Sequence, residues 1–301
     1  MMTFPRKLLA LVVSCALGIA LGGCSAPAPT HVEEVAEPDA NFAFAQAISL
    51  EAASASMTPE GLLAVEFKVF GRTPSGDIQR ANPSLTFRPD NKDDIAQKFE
   101  GVFGAYANVA MRRMEDGLLR AKAGSSAETG RLIDEALANA RKLRHYEVQP
   151  DILITPASEE VVNRIGNAFH KKTGLGVTVT SGTRTPRRQA DAMLTKAQVG
   201  GNLRAEYRNK EAVDEIIAAR KSAQGKPRAE VVNAMAAAIE KQMARGVYIS
   251  NHLKSGAVDL KTNNLSAKNK AKLIETARSV PGVTRVLDES KPPHLHLDVN
   301  P

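Results

Sequence analysis

The closing segment Val283-Thr-Arg-Val-Leu-Asp-Glu-Ser-Lys-Pro-Pro-His-Leu-His-Leu-Asp-Val299 decides how the C-terminal half is read. Val283–Leu287 and His294–Val299 have the character of two closing strands. Alternate residues of a strand share one face, so His294 and His296 point to the same side of the last one. Further out, Ser250–Lys261 carries His252 and, seven residues later, Asp259. Three of the six histidines in the chain therefore fall between 252 and 296. Two imidazoles and one carboxylate from this group supply three protein ligands for Zn²⁺. Three ligands leave a fourth position open for water, which separates catalytic zinc from structural zinc.

The segments around these strands are mostly helical. Thr155-Pro-Ala-Ser-Glu-Glu160 starts a helix with acids in its first turn, which carries Val161, Val162, Ile165 and Phe169 and stops at Gly174. Val177–Thr180 is a short strand, and Ser181-Gly-Thr-Arg-Thr-Pro186 turns out of it. Three helical stretches follow, over about Arg187–Ala197, Lys210–Ala223 and Arg228–Arg245, the last stopped by Gly246. Ser266 caps a helix over about Ala267–Ser279. Helices with antiparallel strands gathered around one site predict an α+β domain over residues 151–301: a small antiparallel sheet flanked by helices. Residues 41–150 form a separate region that is expected to be mostly helical. It has one strand over Gly61–Phe70 and helices over about Asp93–Ala123 and Ala127–Arg144. It holds no catalytic constellation and is read as a spacer or partner-binding unit.

The N-terminus indicates location. Arg6 and Lys7 precede an apolar run, Leu8–Leu21, that ends in Leu21-Gly22-Gly23-Cys24. This resembles the lipobox of bacterial lipoproteins, in which residues 1–23 are removed and lipid is attached to Cys24. Ala26 to about Ala40, rich in Pro, Ala and Glu, reads as a tether. Cys15 leaves with the signal, so the mature domain has no disulfide and no cysteine ligand. Ser25, rather than Asp, after the cysteine implies an outer-membrane anchor facing the periplasm in a two-membrane host. The formal charge of +7, of which Arg6 and Lys7 belong to the signal, suits contact with an anionic polymer such as cell wall. With no Trp and 4% aromatic residues, platforms for stacking bases are scarce, and no nucleic-acid partner is expected. The neutral expectation for oligomeric state is a monomer.

Three separated elements then fall in the order of one superfamily: Ser181-Gly-Thr-Arg184-Thr, His252-Leu-Lys-Ser-Gly-Ala-Val-Asp259, and Glu289-Ser-Lys-Pro-Pro-His294-Leu-His296. Residues 151–301 resemble the superfamily of zinc D-alanyl-D-alanine carboxypeptidases, murein endopeptidases and the hedgehog signalling domain. The resemblance implies that His252, Asp259 and His296 are the zinc ligands and that His294 lies near the metal-bound water. It also implies that Arg184 binds substrate near the scissile bond, and that Glu289 is the acid ahead of the His-x-His element. The chain departs from the pattern at three positions. Pro293 stands where the carboxypeptidases often have Glu, Ser255 where a glycine is usual, and Thr183 where an aromatic often follows Ser-Gly. The first departure leaves the general base open between His294 and Glu289.

These readings predict a lipid-anchored zinc metallopeptidase acting on peptidoglycan stem peptides or cross-links, as a DD- or LD-carboxypeptidase or an endopeptidase. The alternative is a non-catalytic zinc-containing module that binds peptidoglycan or an envelope protein. A third reading gives the main role to residues 41–150, as an adaptor.

Overall fold

The computed structural model describes residues 46–300 except 74 and 291, so the lipobox, Cys24 and the tether lie outside the described residues. Those described belong to one compact unit, Asp39–Pro301, and combine helices with two small sheets. No helix among them is long and apolar enough to cross a membrane.

The first sheet contains β1 (Gln46–Met57), β2 (Leu63–Arg72), β3 (Ile78–Ala81) and β4 (Ser84–Phe87), with β1, β3 and β4 all antiparallel to β2. Period-2 alternation drives its burial: Leu63, Val65, Phe67 and Val69 enter the core, while Glu66 and Lys68 stay exposed. The helices α1 (Lys92–Phe103), α2 (Ala107–Lys122) and α3 (Ala127–Lys142) contribute the rest of that core. At its centre Phe67 meets Phe99 and Phe103 edge-on, with ring centroids 5.9 and 4.9 Å apart. This corrects the expectation of a mostly helical N-terminal region, which is a four-stranded sheet layered with three helices. Strand β1 is hard to read because Glu51-Ala-Ala-Ser-Ala-Ser56 is poor in β-branched and aromatic residues, and β3 and β4 are only four residues long. The single helix expected over 93–123 breaks at Gly104, whose φ of +50° no ordinary helical residue adopts.

The second sheet has the order β5-β6-β7-β9-β8, from β5 (Tyr146–Val148), β6 (Val177–Ser181), β7 (Ala257–Lys261), β8 (Val283–Ser290) and β9 (Pro293–Val299). It is mixed rather than wholly antiparallel. The helix α4 (Pro156–Thr173) carries the chain back from β5, so β5 and β6 run parallel. Thr155 caps α4 by accepting a hydrogen bond from the Ser158 amide, and Gly174 ends it at φ +72°. The last helix, over Ala267–Ser279, packs with α4 on one face of the sheet. Val161, Ile165, Phe169 and Leu273 there meet Val179, Val258, Leu260, Leu295 and Leu297.

The opposite face of this sheet looks into a cleft. Between β6 and β7 the chain inserts α5 (Pro186–Gln198), α6 (Leu203–Glu206), α7 (Lys210–Ser222) and α8 (Arg228–Ala244), which have their own core around Met193, Ile216, Met235 and Ile239. The helix over Ala267–Ser279 thus becomes α9. Residues of this insertion form one wall of the cleft.

The two layered halves are joined by a buried polar cluster. Glu159, on α4, is fully buried. It accepts hydrogen bonds from Arg112 and, at 2.9 Å each, from Arg113 Nη2 and the Tyr146 hydroxyl. Asn108 Nδ2 also donates to Asn163 Oδ1 at 2.9 Å.

Candidate metal centre

Strand register gathers the predicted ligands. Asp259 on β7 lies directly opposite His296 on β9, and Ser181 flanks Asp259 from β6. On the far side, Glu289 of β8 lies opposite His294. Leu295 and Leu297 point into the core, so His294, His296 and Asp298 share the cleft face. His252 comes from the 3-10 turn Asn251–Lys254 that leads into β7. One ligand atom from each of His252, Asp259 and His296 can be chosen so that all lie within 4.8 Å of one another.

The surrounding hydrogen bonds orient these atoms for a cation. A backbone carbonyl only accepts, so His252 Nδ1 donates to Gly182 O, 2.6 Å away, and its Nε2 lone pair is left for the site. Gly182 has no room for a side chain, since a Cβ there would stand 2.2 Å from the Leu153 carbonyl oxygen. His296 presents Nδ1 to Asp259 Oδ1 at 2.8 Å, while its Nε2 faces Asp298 Oδ1 at 3.1 Å. Asn251 Nδ2 donates to the same Asp298 oxygen at 2.8 Å. A carboxylate behind a ligating histidine fixes its ring and raises its basicity. Two imidazoles and a carboxylate, backed in this way, form a donor set that fits zinc.

Arg184 lines the cleft and is held by three neighbouring side chains. Its Nη2 donates to Asp259 Oδ2 at 2.7 Å, its Nε to Ser181 Oγ at 2.8 Å and its Nη1 to Gln189 Oε1 at 3.2 Å. It fixes the Asp259 carboxylate so that Oδ1 faces the two histidines. Burial opposes the Asp259 charge. The adjacent His252 and His296 imidazoles and the Arg184 charge outweigh it and hold the carboxyl well below its ordinary range. For His296, burial disfavours the cation, but Asp259 and Asp298 win and raise its pKa.

His294 Nδ1 donates to the Pro292 carbonyl at 2.7 Å, which leaves Nε2 unprotonated in the neutral ring. That nitrogen lies 3.7 Å from Asp259 Oδ1 and 3.7 Å from Glu289 Oε2. Burial acts against the Glu289 charge, yet Lys196 beside it brings its pKa below the ordinary value.

All six predicted side chains, His252, Asp259, His294, His296, Arg184 and Glu289, line one cleft of about 780 Å³. Sequence reasoning missed Asp298, Asn251 and Lys196. Asp298 was legible from its place two residues beyond His296 on the same strand face. Asn251 and Lys196 carried no such signal, because their roles depend on chain segments brought near by folding. No family model, curated protein or solved structure matches the chain.

Proposed function

We propose that the chain is a zinc metallopeptidase of the D-alanyl-D-alanine carboxypeptidase and hedgehog-like superfamily, hydrolysing peptide bonds in peptidoglycan. The observation that carries this reading is the triad His252, Asp259 and His296, backed by Gly182 O, Arg184 and Asp298, in an open cleft beside a histidine of fixed tautomer. Those three residues would hold the ion, which supplies Lewis acidity when bound. His294 takes a proton at Nε2 from the attacking water and returns it to the leaving amine as the C–N bond breaks. Glu289 faces the imidazolium formed on the way and stabilises its charge. Arg184 keeps Asp259 ionised and turned towards the histidines. Arg208, Lys261 and Arg285 on the cleft walls favour an acidic substrate such as a stem peptide with free carboxylates. A lipid on Cys24 would keep the enzyme beside this insoluble polymer.

The purified full chain, incubated with intact and digested peptidoglycan with zinc or with chelator, decides the matter by product mass. Zinc-dependent release of D-alanine identifies a carboxypeptidase, and opened cross-links identify an endopeptidase. Absence of product from folded, zinc-loaded protein would transfer the role to the binding-module reading, which Pro293 favours by standing where carboxypeptidases often carry Glu. His294→Ala separates the two from the other side. An enzyme loses turnover and keeps its metal, whereas a binding module loses little.

A further inference from the structure

Besides Gln189, which accepts from Arg184, the insertion between β6 and β7 reaches the site through Lys196. Lys196 leaves the last turn of α5, and its stem is largely buried, with 17% of the side chain exposed. Its Nζ lies 2.5 Å from Glu206 Oε2 and 2.7 Å from Glu289 Oε2. Glu206 belongs to α6, within the insertion, whereas Glu289 belongs to β8, the edge strand of the second sheet. The ammonium thus spans the cleft from insertion to sheet, and all three side chains line that cleft. Lys196 is the hydrogen-bond donor to the Glu289 carboxylate among the described residues. The same oxygen, Oε2, is the one 3.7 Å from His294 Nε2. A glutamate on an edge strand, 27% exposed and without this partner, would have several rotamers open to it.

We infer that Lys196 is a positioning residue: it holds the Glu289 carboxylate against His294, and Glu206 holds Lys196 in place. The inference rests on the peptidase reading and deepens it. It makes the helical insertion part of the proton-transfer geometry rather than a wall alone. Lys196 need not touch substrate, since two of its three N–H donors are already committed to carboxylates.

The test is a double-mutant cycle on the full, zinc-loaded chain, with kcat and KM for peptidoglycan fragments, zinc affinity by chelator competition, and Tm. Lys196→Met should lower kcat by about tenfold while KM and zinc affinity stay within about twofold. Lys196→Arg should restore most of the loss. In a Glu289→Gln background, Lys196→Met should cost little more, because the partner it positions is already disabled. Equal losses in both backgrounds, or a loss that follows Tm or zinc content, would make Lys196 a structural cross-link and overturn the inference. If Lys196→Met does not fold, Glu206→Gln enters the same cycle, with a smaller kcat loss expected that also vanishes beside Glu289→Gln. If the parent hydrolyses nothing, the peptidase reading fails, and crystal structures of parent and Lys196→Met decide the positioning separately. A Glu289 carboxylate that swings away from His294 supports it, and one that stays in place sinks it.

Discussion

Asp298 shows how a single side chain two positions from a candidate ligand, His296, can orient it. It faces His296 Nε2 at 3.1 Å and is steadied by Asn251, so the imidazole has one orientation in which Nδ1 reaches the Asp259 side of the cleft. Removing such a partner costs about 10–100-fold in metal affinity. Asp298→Ala should therefore bind zinc that much more weakly in chelator competition while its circular dichroism stays native. Unchanged affinity would mean that Asp259 alone orients the ring. Arg184 carries the same lesson. The resemblance implies a role in binding substrate, and the fold pairs its guanidinium with the candidate ligand Asp259.

At the scale of an element, the turn that delivers His252 is strained. The 3-10 turn Asn251–Lys254 ends on Ser255 at φ +59°, the left-handed region that favours glycine. The superfamily that residues 151–301 resemble usually has a glycine there; this chain adopts the left-handed conformation with a serine. Relief of that strain should let Ser255→Gly raise unfolding stability by about 0.5–1 kcal/mol in urea titrations. A loss of stability instead would show that the serine side chain itself supports the turn. The turn also helps to build the candidate site, because the Arg184 amide donates to the His252 carbonyl at 3.0 Å and so ties β6's exit to the candidate ligand His252.

Across the whole molecule, the buried cluster at Glu159 couples the two layered halves. Truncating Glu159 leaves Arg113 without its ion-pair partner and Arg112 with only the more distant Asp116, so Glu159→Ala should destabilise the protein by about 3–5 kcal/mol in denaturant titrations. A loss below about 1 kcal/mol would show that the halves are held together by apolar packing alone. Its neighbour Glu160 introduces a pH dependence. Burial raises its pKa to about 7 from 4.5, against the opposing pull of Asn163 and Arg164. The folded state thus binds this proton more tightly than the unfolded state. The stability it contributes is full below pH 4.5 and is lost as pH rises through about 7. Between pH 5 and 8 the parent should lose about 1–2 kcal/mol relative to Glu160→Gln, allowing for solvent screening. Parallel pH profiles for the two proteins would refute this.

The sequence by itself determined the long helices of the C-terminal half, the helix start at Thr155, the cap at Ser266, the closing strands, and the common face of His294 and His296. Each rests on local rules, namely periodicity, capping and the two-residue repeat of a strand, which act over a few residues. It also picked out six of the side chains that line the cleft, through spacing and resemblance. Only the tertiary structure decided the N-terminal sheet, the parallel partner β5, the engagement of Arg184 by Asp259 and the reach of Lys196 to Glu289. The Glu51–Ser56 stretch of β1 lacks β-branched and aromatic residues and is held by its pairing with β2, while Lys196 and Glu289 are separated by 93 positions in the chain. Such contacts form because distant segments bury apolar surface together and bring polar groups into reach.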